Sequence, residues 1–103
     1  MFLEIRTYRL RPGTRDAFLR AMEAAQPLLR RYGIEVVGFG PSLVAEDGHE
    51  EAYLIRRFAS LEERAEKEAA FYGSADWRDG PREAVVGPIE SYHTIVLPAS
   101  ALV

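Results

Sequence analysis

Two helical patterns, each preceded and followed by a segment with strand character, constrain the fold of this chain more than any other feature. In residues 15–32, apolar side chains recur with the spacing of one helix face. Near residue 60, the sequence S-L-E-E has the form of a capping box, which marks the start of a second helix. Strand-like segments occupy residues 2–10, 34–44, 51–59 and 88–97. The predicted order is therefore β-α-β-β-α-β.

This order predicts an α+β fold of the ferredoxin-like kind. Right-handed crossovers place the first and third strands at the centre of an antiparallel sheet, with both helices on one face. The second face is predicted to carry Phe2 and Tyr8, which are too apolar for a surface in water. A second copy of the chain is therefore expected to cover that face, which makes the protein a homodimer.

The ends and faces of the helices are also predicted. Thr14 is expected to cap the first helix, Pro27 to kink it and Gly33 to end it. The second helix is predicted to turn one apolar stripe towards the sheet and to expose the charged residues 62–68 to solvent. The stripe consists of Leu61, Ala65, Ala69 and Tyr72.

Composition excludes several classes of function. A chain of 103 residues is expected to form a single domain, with residues 98–103 as a C-terminal tail. The net charge of −3 argues against a nucleic-acid surface, and no apolar run approaches the length of a membrane span. The chain has no cysteine and only two histidines, so neither a metal nor another cofactor is predicted. These features are typical of a cytoplasmic protein.

The stretch F-Y-G-S-A-D-W-R-D-G-P-R-E, residues 71–83, is the irregular part of the chain and holds its only tryptophan. Trp77, together with Phe71 and Tyr72, could form the wall of an apolar pocket between helices and sheet. Alternatively, Trp77 closes the end of the core and holds an irregular segment in place. The second interpretation is the one that the pattern favours.

Three motifs resemble the NIPSNAP family. They are the E-x-R-x-Y run of Glu4, Arg6 and Tyr8, the pair Pro12-Gly13 before the first helix, and the segment around Trp77. The resemblance covers nearly the whole chain and implies a dimeric α+β barrel, in which two ferredoxin-like protomers join their sheets. That superfamily includes cofactor-independent monooxygenases, haem-degrading enzymes, chlorite dismutase and muconolactone isomerase. NIPSNAP-like proteins themselves have no settled activity, and kinship of fold does not transfer a reaction.

Two groups of side chains are candidates for chemistry. Tyr8 and His93 are the candidate catalytic residues, because histidine titrates near neutral pH. The pattern nevertheless favours a structural role for His93, in a hydrogen bond to a neighbouring strand or at the protomer interface. Arg6 and Arg56, on neighbouring strands, either form an ion-pair network with Glu4 and Glu90 or anchor the carboxylate or enolate oxygen of a ligand. Together with these arginines, the predicted substrate-binding residues are Tyr53, Tyr72 and Trp77.

Two functions follow from these candidates. The first is a metal-independent monooxygenase or isomerase acting on a small aromatic or carbonyl compound, held by Arg6, Tyr8 and His93 against Trp77. The second is a non-catalytic dimer that binds a small apolar or acidic ligand or another protein.

Overall fold

The computed structural model describes residues 1–101, which form four strands, four α-helices and two single turns of 3-10 helix. The predicted order β-α-β-β-α-β is confirmed, with two short α-helices inserted before the last strand. The strands and α-helices are β1 Phe2–Leu10, α1 Arg15–Arg31, β2 Glu35–Pro41, β3 Glu50–Phe58, α2 Leu61–Tyr72, α3 Ala75–Arg78, α4 Arg82–Val86 and β4 Ile89–Pro98. Strand β2 ends earlier than predicted because Ser42 turns the chain through hydrogen bonds between its hydroxyl group and the backbone of Val44. No helix within residues 1–101 is long and apolar enough to cross a membrane.

The sheet is antiparallel with strand order β2-β3-β1-β4, so the prediction of central first and third strands is confirmed. Glu4 lies opposite Arg56 in the register of β1 and β3, and Arg6 lies opposite Thr94 in that of β1 and β4. Strand β4 is an outer strand of the sheet and continues to Pro98. The predicted tail therefore begins later, and the backbone N–H of Ala99 donates to the carbonyl oxygen of Met1. Residues 102 and 103, which belong to the predicted tail, lie outside the described part.

Helix α1 packs on the sheet through the predicted stripe. Phe18, Met22, Ala25 and Leu29 are all buried. The helix continues through Pro27 and ends before Gly33, which has a φ of +74° in the left-handed region. The expected side-chain cap is absent, because the hydroxyl group of Thr14 instead donates to the carbonyl oxygen of Arg11.

Helix α2 starts at the predicted cap, since the hydroxyl oxygen of Ser60 accepts a hydrogen bond from the backbone N–H of Glu63. The prediction of its inward face, however, is wrong. Leu61, Ala65 and Ala69 are exposed, while Arg64 and Glu68 face the sheet. The reason lies beneath the helix, where Glu4 and Arg56 project from the sheet and need charged partners.

The prediction of which residues lie on the uncovered face of the sheet is also wrong. Tyr8 faces the helices, where its ring centroid lies 4.9 Å from that of Phe18. Because side chains alternate along a strand, the uncovered face carries the other set of residues. Its apolar members are Ile5, Ile55, Ile95 and Leu97, together with Leu3, which is only 6% exposed. Ile95 is 50% exposed, so an apolar surface does remain open on this side.

Candidate functional site

A cavity of about 730 Å³ lies between the sheet and the helices, a volume within the usual range for sites that bind small molecules. Most of its walls are apolar, and α1, α2, α3 and α4 all contribute to them. The apolar lining residues include Met22, Ala25, Leu29, Leu54, Phe71, Trp77, Val85, Val86 and Ile89. Tyr92, which is 62% exposed, is also a lining residue, so the cavity reaches solvent beside β4.

An ion-pair cluster forms the polar end of this cavity. Arg56 is fully buried, and its Nε donates a hydrogen bond of 2.7 Å to Oε1 of Glu4. The second carboxylate oxygen of Glu4 accepts a 2.6 Å hydrogen bond from Nε of Arg64. Burial acts against the charge of Glu4. The neighbouring carboxyl group of Glu68, which can donate to Glu4 when it carries a proton, and the positive charge of Arg56 nevertheless lower the pKa of Glu4 to about 2. Glu4 is therefore a carboxylate at neutral pH and compensates Arg56 inside the protein.

Arg6 is bound less completely than Arg56. Its Nε donates to the hydroxyl oxygen of Thr94 at 2.9 Å, and its Nη1 donates to the hydroxyl oxygen of Tyr72 at 3.3 Å. Its Nη2 makes no hydrogen bond to any residue between 1 and 101, and the carboxylate oxygens of Glu4 and Glu68 lie 3.9 and 3.7 Å from it. The guanidinium group also lies over the ring of Tyr92, 5.1 Å from its centroid. Arg6 thus brings an incompletely used donor to the cavity.

Glu68 is a lining residue that the sequence interpretation missed, because it was assigned to the solvated face of α2. Its side chain is only 14% exposed, and its Oε2 lies 3.5 Å from Nη2 of Arg56. Burial, together with the neighbouring carboxylate of Glu4, raises the pKa of Glu68 to about 7. One signal in the sequence could have revealed it, namely the i, i+4 pair of Arg64 and Glu68 one helix turn before Phe71 and Tyr72.

Trp77 belongs both to the core and to the cavity wall, so the two interpretations of this residue are compatible. It is only 6% exposed, and its ring centroid lies 5.1 Å from that of Phe71 and 5.4 Å from that of Tyr72. The hydroxyl group of Ser74 caps α3 and thereby positions Trp77 by accepting a hydrogen bond from its backbone N–H. The ring therefore packs into the core and presents part of its surface to the cavity.

The structure brings together five of the seven residues proposed from the sequence. Arg6, Tyr8, Arg56, Tyr72 and Trp77 all line the cavity. His93 and Tyr53 do not, because alternation places both on the uncovered face, where each pairs with Thr7 across the sheet. Tyr53 lies against Gly40 of β2. Tyr8 and His93 therefore do not meet in one cavity of the protomer.

Two long helices packed on one face of a four-stranded antiparallel sheet, with an apolar cavity between the layers, place the chain in the class of the ferredoxin-like α+β proteins. Within this class, the chain belongs to the NIPSNAP family, whose family model matches residues 3–101. No curated protein matched the chain.

Solved structures agree with this assignment. A NIPSNAP family protein with unknown function from Agrobacterium tumefaciens is 30% identical, with a TM-score of 0.81 over 94% of this chain and 86% of that chain. An uncharacterized NIPSNAP domain protein from Burkholderia xenovorans is 19% identical, with a TM-score of 0.84 over 100% and 98% of the two chains. A Bordetella bronchiseptica protein named for the antibiotic biosynthesis monooxygenases is also 19% identical, with a TM-score of 0.73 over 94% of each chain. At 19% identity, the similarity to the Burkholderia and Bordetella proteins shows a shared fold only.

Proposed function

We propose that the cavity binds a small, mostly apolar molecule that carries a carboxylate or carbonyl oxygen. The observation that carries this proposal is the position of Arg6 in the wall of a mostly apolar cavity. Its Nη2 donates no hydrogen bond to any residue between 1 and 101. An oxygen atom of a ligand would supply an acceptor for it, and a carboxylate would supply the opposite charge as well. The surrounding aromatic and aliphatic side chains would hold the apolar body of the ligand.

The two arginines have different roles in this proposal. Arg56 is compensated by Glu4 inside the protein, so we assign it to the ion-pair network rather than to the ligand. Tyr72 belongs both to the ion-pair network and to the ligand site, because its hydroxyl oxygen accepts hydrogen bonds from Arg6 and from Arg56. Its own hydroxyl hydrogen is then available to the ligand oxygen that Arg6 binds.

The binding proposal has a direct test with a pair of probes. Indole-3-acetate combines a flat apolar ring with a carboxylate, and indole-3-acetamide is its uncharged counterpart. Arg6→Met should weaken the binding of the carboxylate by about 10- to 100-fold, since it removes a charged hydrogen bond, and should change the binding of the amide far less. Isothermal titration calorimetry measures both.

Arg9→Met is the matched control, because Arg9 lies on the same strand but on the opposite face, paired with Asp47 and Glu51. It should leave the affinity for indole-3-acetate unchanged. Equal weakening by both substitutions, or equal binding of the carboxylate and the amide, would contradict the role given to Arg6.

Catalysis at this cavity is the second candidate, and the convergence of Arg6, Tyr72 and Glu68 on an apolar space favours it. The reaction would be that of a metal-independent monooxygenase or isomerase, in which the arginine stabilises an enolate oxygen. Burial raises the pKa of Tyr8 to about 12, so Tyr8 would act as a neutral hydrogen-bond donor and not as the base. Turnover of an enolisable aromatic ketone that Arg6→Met abolishes would distinguish an enzyme from a binding protein.

We further propose that the protein is a homodimer whose protomers meet through the uncovered faces of their sheets. The apolar row of Ile5, Ile55 and Ile95, aligned across three strands, supports this arrangement. Single-chain proteins rarely leave an extended apolar surface in water, and a second copy would cover it symmetrically.

Light scattering after gel filtration should therefore give twice the protomer mass of 11.6 kDa at micromolar concentration. Ile5→Arg places a charge at the centre of the proposed interface and should shift the protein to the monomer, because a buried unpaired charge is strongly unfavourable. Ala65→Arg, on the outward side of α2, should leave the dimer intact. A wild-type protein that elutes as a monomer would refute the proposal.

A further inference from the structure

The surroundings of Glu68 are not explained by the ion-pair network or by the cavity if its side chain is an ordinary, ionised carboxylate. Its Oε1 lies 3.7 Å from Nη2 of Arg6. Its Oε2 is buried, 3.2 Å from Nε of Arg64, yet makes no hydrogen bond within residues 1–101. Nη2 of Arg56 also lies 3.5 Å from Oε2, so this oxygen has ion-pair neighbours but no hydrogen bond in the described part of the chain. A proton on it would turn the unused acceptor into a donor beside the carboxylate of Glu4.

The charged groups around Glu68 keep their protonation states, so Glu68 is the member of this cluster whose charge can change. Strand β1 contributes Glu4 and Arg6, β3 contributes Arg56, and α2 contributes Arg64. The arginines stay protonated, and Glu4 is held as a carboxylate by two of them. The other titratable groups lining the cavity are Tyr8, Tyr72, Tyr92 and Glu90. Three arginines face two carboxyl groups, so the cluster is positive whether or not Glu68 carries a proton.

We infer that each anionic ligand enters this cavity together with one proton, and that Glu68 holds that proton. The inference rests on the proposed function, and it narrows the ligand to a carboxylate or similar weak-acid anion on an apolar body. A ligand carboxylate at Arg6 would bring a second negative charge next to Glu68, and like charges at short distance favour protonation of one of them. Protonated Glu68 then donates from Oε2 to Glu4, and the ligand replaces it as the anionic partner of Arg6.

This coupling predicts that binding weakens as the pH rises. The pKa of Glu68 is raised to about 7 without a ligand, and an anion beside it raises that pKa further. Below pH 7, Glu68 already carries the proton and binding changes little with pH. Above pH 7, a proton must be taken from solvent, and the affinity should fall by up to about tenfold for each pH unit.

Calorimetry with indole-3-acetate tests the inference. The titration is run at pH 6 and pH 8, each in two buffers that differ in their enthalpy of ionisation. At pH 8, the difference in binding enthalpy between the buffers should correspond to the uptake of close to one proton per ligand, and at pH 6 to much less. Glu68→Gln resembles the protonated side chain, so it should bind at pH 8 as tightly as the wild type does at pH 6 and take up no proton.

Glu66→Gln is the control, since Glu66 lies on the same helix as Glu68 but is exposed and outside the cavity lining, and this variant should keep the uptake. Tight binding by the wild type without proton uptake would overturn the inference and leave the proposed binding function standing. Uptake that persists in Glu68→Gln would also overturn it, by assigning the proton to another group. Absence of binding by the wild type at pH 6 would overturn the proposed function and this inference with it. The wild-type measurements decide the matter even where Glu68→Gln does not fold.

Discussion

Replacing Glu4 with glutamine should lower the free energy of unfolding by about 3–5 kcal/mol, because it removes the closer of the two carboxylates beside the buried guanidinium group of Arg56. Arg56 is fully buried and directs Nε and Nη2 at one oxygen of Glu4. Its remaining hydrogen-bond partner is the hydroxyl oxygen of Tyr72, which carries no charge. Urea unfolding at pH 7, followed by circular dichroism, gives the loss directly.

Glu35→Gln is the matched control. Glu35 forms an exposed ion pair of 2.9 Å at the edge of the sheet with Arg57, the residue that follows Arg56 in β3. The substitution removes the carboxylate of this pair. Such a pair contributes less than about 1 kcal/mol. The double substitution Glu4→Met with Arg56→Met should lose less than Glu4→Gln alone, since it removes both members of the fully buried ion pair. Equal effects of Glu4→Gln and Glu35→Gln would show that Arg56 finds compensation elsewhere.

Acid should lower the free energy of unfolding through protonation of Glu4. The pKa of Glu4 is lowered to about 2 in the folded protein, from an ordinary value of 4.5. A group with a lowered pKa contributes stability above its ordinary pKa and loses it as the pH falls through the lowered one. Glu68 acts with the opposite sign: because its pKa is raised from 4.5 to about 7, its contribution is present below pH 4.5 and is lost as the pH rises through 7.

The elements and their order could be predicted because each depends on local rules. Ser60 caps α2 by accepting a hydrogen bond from the backbone N–H of Glu63 three residues ahead, and Gly33 ends α1 because glycine adopts the left-handed backbone angle there without steric cost. The central positions of β1 and β3 follow from the handedness of two crossovers. None of these steps requires knowledge of a side chain on another element.

The inward face of α2 could not be predicted from local rules. The helix turns Arg64 and Glu68 inward, against the pattern of its apolar residues, because the sheet below it presents Glu4 and Arg56. That requirement is visible only once β1 and β3 are paired, when Glu4 and Arg56 become neighbours in the register. The same dependence explains why Tyr8 was assigned to the uncovered face. Strand β1 is apolar on both sides, so its alternation alone does not say which side the helices cover.

Replacing Trp77 with alanine should lower the free energy of unfolding by about 3–5 kcal/mol, as is usual when a large aromatic side chain is removed from a core. The ring is almost fully buried and packs on both Phe71 and Tyr72, so the space it leaves will not collapse without moving the end of α2. Trp77→Phe keeps an aromatic contact with Phe71 and should lose less. Because Trp77 is the only tryptophan, unfolding must be followed by circular dichroism and not by fluorescence.

Tyr92→Ala separates the role of Trp77 in the core from its role in the cavity wall. Tyr92 lines the same cavity but is 62% exposed, so its removal should lower the free energy of unfolding by less than about 1 kcal/mol. It should nevertheless weaken the binding of indole-3-acetate, because the guanidinium group of Arg6 lies over its ring and loses that support. If Trp77 belonged to the wall alone, Trp77→Ala would behave like Tyr92→Ala and weaken ligand binding without unfolding the protein. A loss of several kcal/mol for Trp77→Ala alone would show that this ring holds the core together at the wall of the cavity.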